Sequence, residues 1–248
     1  MAAVSMHKTG GSLTQSSFLL IGESQDKGYV RQIINLNQTT SGSYLLLASL
    51  DISRRNLALR GKETFKRVME LSTYAWDEIN KLGGYYAFSE ELLNNDSFFD
   101  FDKTKLSVYT MDIGLAGVEV YDILRDDYGI QIEFGDIGNI LAIISVGDRY
   151  LEIERLVSSL SEIKRLYSKD KAGMFDHEYI SPKVVLTPKD AFFKDKKSVP
   201  IKESKNMVSG EFVMCYPPGI PILAPGEYIT DEIIDYIEYA KEKGSFLT

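Results

Sequence analysis

The chain holds a single cysteine, Cys215, two histidines and one tryptophan in 248 residues. One cysteine excludes an internal disulfide framework and points to a reducing, cytoplasmic setting. Two histidines without a cysteine cluster leave no metal-ligand pattern. No stretch approaches the roughly 20 apolar residues that span a bilayer. Residues 1–20 carry no basic flank followed by a long apolar run, so neither a membrane span nor a secretory signal is expected. Positive charge is also in deficit: 28 Lys and Arg face 36 Asp and Glu, a net charge of −8. That balance argues against nucleic acid, whose phosphates require a basic face, and is mildly suited to steering a cationic small molecule.

What is present is an ordinary globular composition, 44% apolar and 26% charged, in a chain long enough for a sizeable core. Residues 1–5 and 17–22 read as short apolar strands and residues 28–37 as a short helix. Residues 43–60 and 62–82 each have apolar side chains at helical spacing, and Gly83-Gly84 ends the second run. Its inner side is expected to carry Phe65, Val68, Met69, Leu71, Ala75, Trp76 and Ile79. These helices hold more apolar surface than one face needs, which favours dimer or sheet packing.

From residue 85 the pattern changes to strand (105–111), helix (115–128), strands (131–134 and 139–146) and helix to residue 167, the last opened by Asp148 as its cap. This is a compact α+β unit close to a split βαβ sandwich. A polar linker containing His177 follows. Thr187-Pro188 opens a short helix through Lys196, with Phe192 and Phe193 expected to pack inward. Residues 207–216 read as an apolar strand leading into "YPPGIPILAPGE", a stiff run with four prolines in twelve residues. A last helix is expected over residues 230–243. Cys215 reads as a buried small apolar residue rather than a nucleophile.

The chemistry gathers in "VSMHKTGGSL" at positions 4–13. A lysine amine becomes a nucleophile when its proton is lost. Thr9-Gly10-Gly11 lets a bulky group come close to the backbone, and Ser5, Ser12 and Thr14 offer hydroxyls around a glycine turn of the kind that suits phosphate. A lysine beside such a turn suggests pyridoxal phosphate held as a Schiff base, although a surface turn has the same composition. A nucleotide phosphate loop is a poor rival, because its lysine follows both glycines whereas Lys8 precedes them.

"SMHKTGGSLTQSS" resembles the cofactor-lysine segment of the Orn/Lys/Arg decarboxylase family, pyridoxal-phosphate enzymes of the aspartate aminotransferase fold. "LNQTTSGSYLLLASLD" (36–51), "FGDIGNILAIISVGD" (134–148) and "EFVMCYPPGIPILAPGEYIT" (211–230) resemble further family blocks in the same order. The proline block argues against an aminotransferase-like relative. The resemblance implies α/β and α+β architecture: the C-terminal part of a fold-type I large domain with interface helices (1–84), a small α+β domain (85–172) and the family's C-terminal domain (173–248).

The resemblance also implies that Lys8 carries the cofactor, that Ser5 and His7 lie against it, and that His7 or Lys8 returns a proton to Cα. Thr39, Thr40 and Ser41 match a hydroxyl loop that completes the phosphate site of a neighbouring subunit in a homodimer or higher oligomer. Gly42 stands where many relatives have proline. Glu227, with Cys215 and Tyr216, would meet the substrate, Glu227 taking its distal cation. The implied reaction is decarboxylation of arginine, lysine or ornithine to a polyamine precursor.

The family's pyridine-binding aspartate, ring-stacking histidine and main phosphate loop lie well upstream of its lysine, whereas seven residues precede Lys8. The chain is therefore expected to be an incomplete portion of a decarboxylase, Met1 being an internal methionine, inactive alone and paired with a separate N-terminal polypeptide. The alternative is a non-catalytic assembly or regulatory subunit that retains the dimer surface.

Overall fold

A computed structural model of the chain describes residues 1–38, 40–170, 180–216 and 218–247. Thr39, His177 and most of the expected linker lie outside the described residues. In chain order the elements are β1 (Ala2–Val4), α1 (Met6–Thr9), β2 (Phe18–Leu20), α2 (Lys27–Asn37), α3 (Tyr44–Leu82), β3 (Tyr86–Ala87), β4 (Lys105–Tyr109) and α4 (Gly117–Asp126). They continue as β5 (Phe134–Gly135), β6 (Asn139–Ile143), α5 (Tyr150–Tyr167), α6 (Pro188–Phe193), β7 (Val213–Tyr216), β8 (Ile220–Leu223), α7 (Asp231–Glu242) and β9 (Phe246–Leu247). The chain divides into two compact units. The first is Met1–Asp77 with Leu93–Leu106 and Ile143–Arg155, and the second is Glu78–Leu92 with Ser107–Ala142 and Leu156–Thr248.

In the first unit β1 and β2 pair antiparallel, Ala2 opposite Leu20 and Val4 opposite Phe18. The intervening loop carries α1. Helix α2 opens on Asp26, whose Oδ1 accepts from the N–H groups of Gly28 (2.8 Å) and Tyr29 (3.2 Å), and it buries no residue. The two helices expected over 43–82 are one helix, α3, of 39 residues. Gly61 does not break it: glycine costs about 1 kcal/mol in a helix interior, and the flanking turns outweigh that. From Val68 onward its buried residues Val68, Leu71, Ser72, Ala75, Trp76 and Ile79 follow helical spacing. Between residues 44 and 67 the pattern differs, because the one buried residue there is Ser53. Trp76 packs its ring 5.8 Å from that of Phe101.

The second unit holds a four-stranded sheet in the order β3-β4-β6-β5 and a three-stranded sheet in the order β8-β7-β9. The strand expected over 131–134 shortens to β5. Upstream of it the Gln131 side chain donates to the Tyr121 hydroxyl (2.7 Å) and the Ile132 carbonyl (2.9 Å), while Glu133 N–H still donates to Leu141 O (2.9 Å). Helix α4 is tied to the β5–β6 turn: Gly117 N–H donates to Ile137 O (3.2 Å) and Val118 N–H to Asp136 O (2.8 Å).

Asp148, expected to cap α5, does something else. Its carboxylate accepts from Ser145 N–H (2.7 Å) and Ser145 Oγ (3.0 Å), closing the preceding turn. The helix opens at Arg149, whose N–H donates to Glu152 Oε2 (3.0 Å).

Helix α6 is shorter than expected, ending before Lys194, and is capped by Thr187, which accepts from Asp190 N–H. Phe192 and Phe193 do not pack inward: they are 54% and 78% exposed. Ala191 takes the buried face of this short helix. The two rings rest edge to face on each other and Lys196 lies over Phe192.

The strand expected over 207–216 is confined to β7, because Ser209 Oγ donates to Glu211 O (2.7 Å) and turns the chain there. Pro218 and Gly219 form a turn before β8: Gly219 has φ +87°, and Pro221 is tolerated in β8 because that strand is an edge. Thr230 caps α7, and Leu223, Ile229, Ile233, Ile234 and Ile237 form the core beneath it. β9 was not foreseen.

Candidate functional site

Lys8 lies on α1, at the crown of the loop between β1 and β2, with its side chain exposed. The short helix closes through Lys8 N–H to Ser5 O (3.1 Å) and Gly10 N–H to Met6 O (2.8 Å), over a buried Met6. At Gly10 a Cβ would meet Met6 Cε at 2.1 Å, the movable end of a flexible side chain, and Met6 O at 3.2 Å. Gly11 is needed for conformation, with φ +82°. Ser5 precedes the helix, is exposed and makes no capping bond with its side chain.

His7 is half-buried and its Nδ1 lies 3.0 Å from Ser16 O. A carbonyl can only accept, so Nδ1 carries the proton and Nε2 of the neutral ring is the acceptor. Ser16 is itself buried, at 4% exposure. Its Oγ donates to Leu13 O, so the Ser12 hydroxyl, 2.7 Å away, must donate to it. The loop is fixed to α3 at two points. Ser53 Oγ donates to Gly10 O (2.5 Å) and Leu13 N–H donates to Ser49 Oγ (3.2 Å). Sequence reasoning missed Ser16, Ser49 and Ser53. The available signal was two serines four residues apart among leucines, which places both on one face of a helix.

Thr40 and Ser41 are exposed in the stretch between α2 and α3, while Thr39 lies outside the described residues. Lys8, His7, Ser5, Thr40 and Ser41 all belong to the first unit; Glu227, Cys215 and Tyr216 belong to the second. Glu227 is half-buried. Its Oε2 accepts from Ala224 N–H (2.7 Å) and its own N–H donates to Ala224 O (3.2 Å). The turn rests on Gly226, whose O accepts from Val185 N–H (2.8 Å) and Leu186 N–H (3.1 Å) and whose N–H donates to Ser209 O (2.8 Å). Cys215 and Tyr216 are neighbours on β7, so their side chains leave opposite faces: Cys215 is buried and Tyr216 is 58% exposed. Burial pushes the Cys215 thiol up to about 11, against a hydrogen bond with Ser245. Asp136 is also raised, again by burial, against the N–H groups of Asn139 and Gly138.

An exposed primary amine on a turn that ends in two glycines, with the exposed hydroxyl of Ser5 three residues before it, is chemistry that fits an aldehyde cofactor bearing a phosphate. Among the described residues no group of three or more His, Cys, Asp or Glu could hold a metal, and no helix is long and apolar enough to cross a membrane.

Residues 1–151 match the family model "Orn/Lys/Arg decarboxylase, major domain" and residues 168–246 match "Orn/Lys/Arg decarboxylase, C-terminal domain". The arginine decarboxylase of Bacillus subtilis is 41% identical over 96% of this chain and 49% of its own. That of Halalkalibacterium halodurans is 40% identical over 98% of this chain and 50% of its own. The crystal structure of the Francisella novicida lysine decarboxylase LdcF superposes with a TM-score of 0.75 at 21% identity, over 99% of this chain and 46% of that one; this likeness speaks for the fold. The chain thus spans about half the length of the curated relatives it matches. With both domain matches in sequence order along it, the chain belongs to the Orn/Lys/Arg decarboxylase family.

Proposed function

We propose that this chain supplies the lysine-bearing part of a pyridoxal-phosphate-dependent decarboxylase of arginine, lysine or ornithine, and that further polypeptide completes the site. The observation that carries the reading is the amine of Lys8 on a turn locked to α3 by Ser53, inside the stretch that matches the major domain. Lys8 would hold the cofactor covalently. Ser5 and, in a dimer, Thr40 and Ser41 with Thr39 would donate to its phosphate. When bound, the cofactor supplies an electron sink for the pair left on Cα as carbon dioxide departs.

His7 keeps Nδ1–H on Ser16 O, which leaves Nε2 to hold a proton and return it to Cα. Glu227, with Oε2 engaged by Ala224, would receive the substrate's distal cation through Oε1. The product is a diamine or agmatine. The relatives are about twice as long, and α2 and the first half of α3 leave Tyr29, Leu36, Tyr44, Leu45 and Leu59 exposed. Both facts support a missing half that covers this face.

The test is carbon dioxide release from arginine, lysine and ornithine by the purified chain with pyridoxal phosphate, alone and mixed with the N-terminal half of the Bacillus subtilis arginine decarboxylase. Release on mixing only is the expected result. Release by the chain alone overturns the incomplete-portion reading. A stable complex that releases none favours the assembly or regulatory subunit.

A further inference from the structure

We infer that Ser53 and Ser49 of α3 are positioning residues for Lys8 and His7, acting through the backbone of the lysine loop. The inference rests on the reading of Lys8 given above. Three observations carry it. First, Ser53 is the one buried residue in the first six turns of α3, at 2% exposure. Serine is mostly exposed in folded proteins, so its burial on a leucine-rich helix has a specific cause. It is buried there because its Oγ donates to Gly10 O at 2.5 Å, the carbonyl two residues after Lys8.

Second, Ser49 stands one turn earlier on the same face. Its Oγ donates to Leu46 O (2.8 Å), so its lone pair is left to accept Leu13 N–H. Third, Leu13 O is the acceptor for Ser16 Oγ, and Ser16 O is the acceptor for His7 Nδ1–H.

The contacts form two paths of bonds from α3 into the loop. Ser53 fixes the carbonyl end of the turn that bears Lys8, and Ser49 fixes Leu13, which fixes Ser16, which sets the tautomer and plane of His7. A lysine on a four-residue helix cannot be held by that helix alone, since isolated short helices are marginal in water. The long helix α3 supplies the rigidity, and the two serines transmit it.

The test uses the full chain and its Ser53→Ala, Ser53→Thr and Ser49→Ala variants. Each is first checked by circular dichroism and thermal melting. Nitrogen-15 shifts report the His7 tautomer, and amide exchange reports Leu13 N–H. Lys8 is read separately. The chain is incubated with millimolar pyridoxal phosphate and reduced with borohydride, and labels on Lys8 and on Lys66 of α3 are compared by mass spectrometry.

Ser49→Ala is expected to raise exchange at Leu13 by about fivefold, the effect of one lost hydrogen bond. Ser49→Ala is expected to mix the His7 tautomers, Ser53→Ala to lower the Lys8-to-Lys66 label ratio, and Ser53→Thr to restore it. Selective labelling of Lys8 that both Ala variants retain, with an unchanged His7 spectrum, overturns the inference and leaves the reading of Lys8 intact. Labelling of Lys8 no greater than that of Lys66 in the unaltered chain overturns the reading of Lys8. The His7 and Leu13 signals then decide the positioning role by themselves, an unchanged spectrum in both Ala variants overturning it.

Discussion

Gly226→Ala probes the turn that presents Glu227. Gly226 has φ +96°, a conformation that costs an L residue about 1–2 kcal/mol. Space is the second obstacle. A Cβ at this position would lie 2.2 Å from Leu186 O and 3.0 Å from Leu186 C, so backbone, not a flexible side-chain end, must move. Moving it stretches the bonds from Val185 and Leu186 N–H to Gly226 O and from Gly226 N–H to Ser209 O, each worth roughly 1 kcal/mol.

Against this stands the gain of replacing glycine in the unfolded chain, about 0.4–1 kcal/mol. The net loss is therefore about 3 kcal/mol, or roughly 6–12 °C in melting temperature for a chain of this size. Thermal unfolding followed by circular dichroism measures it, and amide exchange at Val185 and Leu186 locates it. Gly22→Ala is the control, because nothing lies within 4 Å of its added Cβ and its φ is ordinary; it is expected to be neutral or slightly stabilising. An unchanged melting temperature in Gly226→Ala, with Val185 and Leu186 still protected, would refute the packing argument and with it the claim that Glu227 is held by this turn.

Glu119 gives a pH test. Burial works to raise its carboxyl, but Ala116 N–H, Lys169 (2.9 Å) and Lys243 (3.8 Å) outweigh it and hold the group below the usual carboxylate range. A depressed folded value means the stabilisation is present above the unfolded value, about 4.3, and is lost as pH falls through the folded one. The difference in urea midpoint between the unaltered chain and Glu119→Gln should then shrink from pH 7 to pH 3; a constant gap would contradict the ion-pair account. Cys215, buried and with its thiol pushed up to about 11, is expected to resist iodoacetamide at pH 7.5 until denaturant is added, and prompt alkylation of the folded chain would show that β7 opens. Phe193→Asp, at a side chain 78% exposed, is expected to leave stability within about 0.5 kcal/mol, a larger loss meaning that the ring is covered in solution.

Elements whose cause is local were legible in the sequence. The spacing of Val68, Leu71, Ala75 and Ile79 marked the buried face of α3, and Thr187 announced its helix because a cap acts within three residues. Asp148 misled for the same reason. An aspartate before a helix reads as a cap, and only the three-dimensional turn shows its carboxylate taken by Ser145. Phe192 and Phe193 misled because apolar character alone does not choose a face on a helix of one and a half turns, where Ala191 fills the inward position.

The lysine loop divides along the same line. The glycine turn after Lys8 could be read from residue type, since two adjacent glycines state a turn locally. Ser49 and Ser53 could not, because their partners are backbone groups 36 and 43 residues away. A serine inside a helix ordinarily bonds back to its own chain or faces water. What distinguishes Ser53 is its burial where every leucine around it is at least partly exposed. That inversion of the hydrophobic pattern exists only once α3 and the loop are folded against each other, and it makes the rigidity of the lysine turn a property of the helix behind it rather than of the motif that contains it.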